Sequence, residues 1–207
     1  MAISTYTELQ TAVANWLDRD DLTARIPEFI ALTEARFNRL LRIRSMETEA
    51  DQVTTSGTRS YSLPTDYRQM RTVHLTTNPI TPLSYITPEI MDRIWAGSTG
   101  GKPVSYTIKG NNIYLGPSPD STYTIRFLYY KTVPALSSLV AVNDILTDSP
   151  DVYLYGCLLE AEPFLQNDAR VQLWATAFQQ AIADIQEQDE KDRHSGVLRV
   201  LNTSGYY

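Results

Sequence analysis

A change of hydrophobic period between residues 123 and 188 constrains this fold more than any other feature. Tyr123-Thr-Ile-Arg-Phe-Leu-Tyr-Tyr130 alternates, with Tyr123, Ile125, Phe127 and Tyr129 on one face. A period of two predicts a half-buried strand with that face in a core. From Ser149 onward the spacing becomes helical. Ser149, Pro150 and Asp151 stand in the order of a cap, a first-turn proline and an acid that complements the helix dipole. The helix they open is expected to carry Tyr155, Leu158, Leu159 and Glu162 to about Gln166, kinked or shortened by Pro163. Asn167-Asp168 is expected to cap another helix, with Leu173, Trp174, Ala177, Phe178, Ala181, Ile182 and Ile185 inward.

The N-terminal part is also helical. Thr7 and Gln10 have capping-box spacing, and Leu9, Ala12, Val13, Trp16 and Leu17 follow the helical period until Asp18 to Asp21 break it. In a second helix Pro27 fits the first turn, and Ile26, Phe29, Ile30, Thr33, Phe37, Leu40 and Leu41 form one face. At about Met46 the chemistry turns to Thr, Tyr, Ser, Gly and Pro. Glu47 to Thr55, Arg71 to Leu75, Ile80 to Ile86, Ser105 to Ile108 and Ile113 to Leu115 read as strands, the last two joined by Gly110-Asn111-Asn112. Thr87-Pro88-Glu89 predicts a short helix to Trp95, stopped by Gly97.

These elements predict an α+β fold: an antiparallel bundle of N- and C-terminal helices carrying a small antiparallel β-sandwich or barrel, with an extended C-terminal tail. The expected parts are an N-terminal helical part (1–45), a β-sandwich part (46–140), C-terminal helices packing on the N-terminal ones (141–192), and a docking tail (193–207). That tail holds Val197, Leu198, Val200, Leu201, Tyr206 and Tyr207 without helical period. So many apolar groups favour a covered state, on a partner or a neighbouring copy, with packing back on the chain's own domain as the alternative.

The net charge of −6 argues against a general nucleic-acid binder. Of the basic residues, Arg36, Arg39, Arg42 and Arg44 cluster at the end of the second helix. They suit either that helix's C-terminal dipole and a solvated face, or a contact with another subunit or a phosphate. No apolar run reaches the ~20 residues of a membrane-spanning helix, and no signal peptide or membrane association is expected. The single cysteine, Cys157, excludes a disulfide within the chain and a cysteine-based zinc site, and it is expected to be a buried thiol.

No motif carries chemistry. Gly97-Ser-Thr-Gly-Gly-Lys102 lacks a phosphate loop's spacing, having Ala96 and Pro103 where Gly and Ser or Thr are needed. Neither His74 nor His194 lies in a catalytic or metal motif. Glu160, Glu162 and Asp168 could pair for acid/base work but read better as solvated surface, as does the acidic run Asp184, Glu187, Asp189, Glu190 and Asp192. No catalytic residue, metal or cofactor is expected.

Five segments in order resemble the head–tail adaptor (connector) proteins of short-tailed and related tailed bacteriophages. They are Ile26-Pro-Glu-Phe-Ile-Ala-Leu-Thr-Glu-Ala-Arg-Phe-Asn-Arg-Leu-Leu-Arg42, Leu63-Pro-Thr-Asp-Tyr-Arg68, Tyr106-Thr-Ile-Lys-Gly-Asn-Asn-Ile-Tyr-Leu-Gly-Pro117, the Tyr123 strand, and Asn143 to Trp174. The likeness runs to about Asp192. It implies a homo-oligomeric ring, typically dodecameric, in the virion neck, assembled in the host cytoplasm. Such a ring joins the portal protein to the tail nozzle or tube, and DNA passes through it without sequence reading. The tail residues Val197, Leu198, Val200, Leu201, Tyr206 and Tyr207 would dock on the portal. Between subunits, the cluster Arg36, Arg39, Arg42 and Arg44 would face Asp189, Glu190 and Asp192. Two other classes are compatible with the sequence. One is a different neck or tail ring, or a fibre-attachment protein. The other is a stand-alone sugar- or peptide-binding β-sandwich presenting Tyr61, Tyr67, Tyr85 and Trp95.

Overall fold

The computed structural model describes residues 3–19, 21–97, 100–165 and 168–193. The chain divides into two compact units, one of Met1–Ser45 with Val133–Tyr207 and one of Met46–Thr132. The first is helical and the second is built on two sheets, so the fold is α+β.

In the helical unit, α1 (Tyr6–Leu17) starts two residues earlier than expected. Thr5 and Glu8 form the capping box, the Glu8 carboxylate accepting from the amides of Ser4 at 2.8 Å and Thr5 at 3.1 Å. Thr5-x-x-Glu8 overlaps Thr7-x-x-Gln10, and a carboxylate answers the free amides and the dipole better than an amide does. Asp18 ends α1 in the left-handed region at φ 52°. α2 (Ile26–Leu40) has its proline in the first turn and buries Ile26, Phe29, Ile30, Thr33 and Phe37.

Sequence spacing alone does not reveal α4 (Asp144–Asp148), a short helix before the Ser-Pro-Asp start. Its cap is Asn143, whose Oδ1 accepts from the Leu146 amide at 2.9 Å. Ser149 ends α4, donating its N–H to the Ile145 carbonyl at 2.8 Å. It therefore precedes α5 (Pro150–Phe164) without the side-chain cap bond expected of it.

α5 packs on α1, α2, α4 and α6 (Asp168–Arg193), with Pro163 in its last turn. Val152, Tyr153, Leu154, Gly156, Cys157, Leu158, Leu159, Ala161 and Glu162 are all buried, so α5 is enclosed around most of its circumference. A helix apolar on all sides is the one that sits in the middle. α6 buries a single stripe, Phe178, Ala181 and Ile182, while Leu173 is exposed instead of turning inward. Cys157 is fully buried beside the Thr33 hydroxyl, and burial pushes its thiol up to about 12. A thiol held there stays protonated and inert at neutral pH.

A buried polar network ties residues 133–143 to these helices. Glu34 Oε1 accepts from the Leu136 amide at 2.7 Å and from the Tyr153 hydroxyl at 3.2 Å. Asn143 Nδ2 donates to that hydroxyl at 2.6 Å and to the Pro134 carbonyl at 2.9 Å, and Asn38 Oδ1 accepts from the Val133 amide at 2.9 Å.

Burial raises the Glu34 pKa above its ordinary value, the two hydrogen bonds opposing it. The folded chain thus holds this proton at a pH where the unfolded chain has released it. The contribution to stability is fully present below the ordinary carboxylate range and lost as pH rises through the raised value. Glu34→Gln keeps an acceptor for both donors and cannot ionise. Its stability relative to the parent should therefore increase as pH rises from the carboxylate range toward neutrality, then level off. Urea midpoints of both chains across that range test this; a difference constant with pH would contradict it.

In the sheet unit, one sheet has the order β1 (Glu47–Val53), β8 (Thr124–Lys131), β3 (Tyr67–Leu75), β4 (Thr81–Pro82), with every neighbour antiparallel. The other has the order β2 (Ser60–Ser62), β7 (Asn112–Gly116), β6 (Ser105–Lys109), β5 (Ser84–Tyr85). These are two open sheets, which excludes the closed barrel. β5 and β6 pair in parallel, unlike the rest, because α3 (Pro88–Trp95) lies between them in the chain and supplies the crossover that parallel strands need.

Both sheets contribute to one apolar cluster, with Val73, Leu75, Ile125, Phe127 and Tyr129 from the first and Tyr61, Tyr106, Ile113 and Leu115 from the second. The expected inward face of β8 is the one observed. The Leu63-Pro-Thr-Asp-Tyr67 segment is a staple. Leu63 is buried, Asp66 accepts from the Tyr129 hydroxyl at 2.9 Å, and the Asp66 carbonyl accepts from the Thr132 amide at 2.7 Å. Burial, then the Asp66 carboxylate, push the Tyr129 phenol up to about 12.

Candidate assembly surfaces

The arginine cluster follows from how α2 ends. Its last carbonyls need partners, and Arg42 donates to those of Asn38 and Leu41 while Gln186 donates to that of Leu40 at 3.1 Å. The C-terminal turns of α6 are thereby drawn against residues 40–44. Asp189 Oδ1 accepts from the Arg44 amide at 2.7 Å, and its other oxygen accepts from Arg193 Nε at 2.7 Å. Arg44 Nη2 reaches Asp192 Oδ2 at 3.1 Å. Arg36 pairs with Glu160 of α5.

Of the residues expected between subunits, Arg36, Arg44, Asp189 and Asp192 thus meet charges within their own chain. Arg39 and Glu190 are exposed. Val197, Leu198, Val200, Leu201, Tyr206 and Tyr207 lie outside the described residues.

Beside the Arg44 cluster a cleft of about 280 Å³ opens between residues 43–45, α4 and the end of α6. Ile43, Ile145 and Ile185 give it apolar walls, and Asp144, Asp148 and Asp192 bring carboxylates to it. Asp144 and Asp148 are exposed.

Two apolar surfaces occur elsewhere on the helical unit. One is aromatic. Trp16 meets Trp174 edge-on at 5.7 Å, Tyr155 stacks on Trp174 at 6.2 Å, and Phe164 and Leu173 are exposed nearby in the chain, with Trp16 itself half exposed. The other is the loop before α4, where Leu139 is 94% exposed, with Val140 and Val142 also outward. The Ala141 carbonyl accepts from the Tyr6 amide at 2.7 Å. The loop therefore stands at the N-terminal end of α1, and Trp16 near the opposite end.

Two of the three acid/base candidates take structural roles. Glu160 holds Arg36. Glu162 is buried instead of solvated, accepting from Trp174 Nε1 at 3.0 Å, with its Oε2 unpartnered among the described residues. The side chain of Asp168 lies outside the described residues. Among the described residues no group of three or more His, Cys, Asp or Glu could hold a metal.

Three of the four aromatics of the possible ligand platform serve the sheet unit itself. The Tyr61 hydroxyl donates to the Thr58 carbonyl at 2.7 Å, Tyr67 accepts from the Met70 amide at 3.0 Å, and Trp95 donates to Ser105 at 3.0 Å. Tyr85 is exposed, edge-on to Tyr106. Lys102 of the rejected phosphate loop donates to Thr81 at 2.8 Å.

Glu34, Asn38 and Asn143 do not stand out in the sequence as network residues. The one signal is that Glu34 and Asn38 sit at core spacing from Ile30 and Phe37, where a polar side chain needs a buried partner.

The described architecture is thus two sheets and helices drawn from both ends of the chain. The model of the SU10 adaptor protein family matches residues 4–201, and the chain belongs to that family. It is accordingly a phage adaptor, a structural component of the virion neck. The match extends past Asp192, where the resemblance carried by the sequence segments ends, into the tail. No curated protein gives a match. Among the described residues no helix is long and apolar enough to cross a membrane.

Proposed function

We propose that the chain forms a ring, dodecameric in its assembled form, which joins the portal to the tail nozzle or tube and surrounds the DNA path during packaging and ejection. The observation that carries this reading is the family match over residues 4–201. Helices from both ends of the chain form one bundle, and the two sheets form a sandwich.

A ring needs two different surfaces on each subunit. The aromatic surface around Trp16 and the Leu139 loop are two such apolar surfaces. Arg39 and Glu190, exposed within the expected charge pairing, are the charges with which neighbouring subunits meet. A net charge of −6 suits a conduit that must release its DNA. The apolar tail, Val197, Leu198, Val200, Leu201, Tyr206 and Tyr207, docks on the portal.

Mass photometry of the chain with and without portal protein tests the assembly. The expected result is a monomer that becomes a ring when portal is added; a mass indifferent to portal overturns the reading. Removing residues 194–207 should abolish portal docking, and docking that survives would remove the tail's role. Arg39→Glu should weaken ring closure about ten-fold, roughly 1.4 kcal/mol, and Glu190→Arg in the same chain should restore it.

A further inference from the structure

We propose that the cleft between residues 43–45, α4 and the end of α6 is the resting site of the chain's own segment Val197–Leu201. It would hold the docking tail until the portal competes for it. The cleft's volume, about 280 Å³, lies just under the ~300–1,000 Å³ of small-molecule pockets, which suits a few side chains of a peptide better than a whole helix. Its chemistry is mixed, with aliphatic walls from Ile43, Ile145 and Ile185 and carboxylates from Asp144, Asp148 and Asp192. Asp189 and Asp192 already answer Arg44 and Arg193, whereas Asp144 and Asp148 are exposed on α4.

The segment that follows α6 has the complementary pattern. Val197-Leu-Arg-Val-Leu201 places one arginine among four aliphatic residues, and no Asp or Glu occurs from 194 to 207. An extended peptide of this kind turns Leu198 and Val200 to one side and Arg199 to the other. The first pair fits the isoleucine walls and the guanidinium fits the exposed carboxylates.

Reach favours the chain's own cleft. α6 ends at Arg193, one residue past Asp192 in the cleft, and Arg193 is tied to Asp189. His194, Ser195 and Gly196 then span about 10 Å at most, with a glycine available for the reversal. A tether this short gives the segment a high effective concentration at its own cleft. The family match also ends at Leu201, so it includes this segment and excludes Asn202–Tyr207.

The inference rests on the docking role of the tail for its purpose, but its test does not use the portal. In the full chain, Ser149→Cys and Leu198→Cys place one thiol in the cleft and one on the segment. Ser149 lines the cleft and makes no side-chain cap bond. Cys157, fully buried with a raised pKa, stays out of the exchange. The control pair is Glu187→Cys with Leu198→Cys, because Glu187 is exposed and lies half a helical turn from the cleft-lining face of α6.

In a glutathione redox buffer at low protein concentration, the cleft pair should close within one chain at least ten-fold faster than the control pair. Asp144→Lys with Asp148→Lys should remove that excess. Equal rates for the two pairs overturn the inference. Cross-links found only between chains overturn it as well, placing the segment on a neighbouring copy. If the cleft pair closes preferentially and the tail-deleted chain still docks on portal, the resting site stands and the docking reading fails.

Discussion

Tyr153→Ala should lower the stability of the helical unit by about 5 kcal/mol, a large part of the ~5–15 kcal/mol that holds a typical domain folded. Tyr153 has no exposed surface and meets Phe37 edge-on at 4.8 Å, with ring planes 85° apart. Removing a buried aromatic costs about 3–5 kcal/mol through lost transfer energy and the cavity left behind. The hydroxyl adds to this, because it bridges Asn143 and Glu34, and its loss leaves polar atoms unpaired where water does not reach. Tyr153→Phe separates the contributions, since it keeps the ring and removes only the bridge; it should cost about 1–3 kcal/mol. Denaturant melts followed by the helical circular-dichroism band measure both. Equal losses for the two variants would mean that the hydrogen bonds, and not the packing, hold residues 133–143 in place.

Gly156→Leu should be nearly as damaging, at about 3 kcal/mol or more. Glycine is a poor helix former, so propensity alone predicts that any larger residue at the middle of α5 would stabilise it by up to about 1 kcal/mol. The packing opposes this. A Cβ at Gly156 would lie 2.4 Å from Thr33 Cγ2 and 3.1 Å from Phe178 Cε2, so α2 and α6 both crowd this point. Thr33 cannot turn aside cheaply, because its hydroxyl donates to the Phe29 carbonyl at 2.8 Å. Gly156→Ala should therefore also destabilise, by about 1–2 kcal/mol, despite the better helix residue. A stabilised alanine variant would show that the three helices separate more easily than their contacts imply.

Features carried by neighbouring residues are legible in the sequence. The proline-led starts of α2, α3 and α5, the end of α1 at Asp18 and the β6–β7 hairpin follow from backbone chemistry within a few residues. The inward face of β8 follows from its period of two. Even so, local rules misplace one cap and miss another, while Ser149 holds its expected place before α5 without the side-chain bond. Thr5 competes with Thr7 for α1, and Asn143 starts a helix that ends at Ser149. At α1 two adequate cap residues stand close together, and the backbone around them decides between them.

The assembly surfaces are much less legible. Arg44 lies 145 residues from Asp189, and nothing local says that these two would meet while Arg39 and Glu190 stay exposed. Glu162 reads as one more acid on a charged helix, yet it is buried against Trp174.

By itself, the sequence determined where most of the helices and strands lie, which face of β8 turns inward, and the adaptor family to which the chain belongs. Those properties reside in short-range spacing and in the order of segments. Only the tertiary structure decided that α5 is enclosed around most of its circumference, that Glu34 and Glu162 are buried, and that the acidic end of α6 closes on Arg44 beside a cleft. The physical reason is that burial and ion pairing depend on which distant elements pack together, and a charge has the same identity in the sequence whether water or a partner surrounds it.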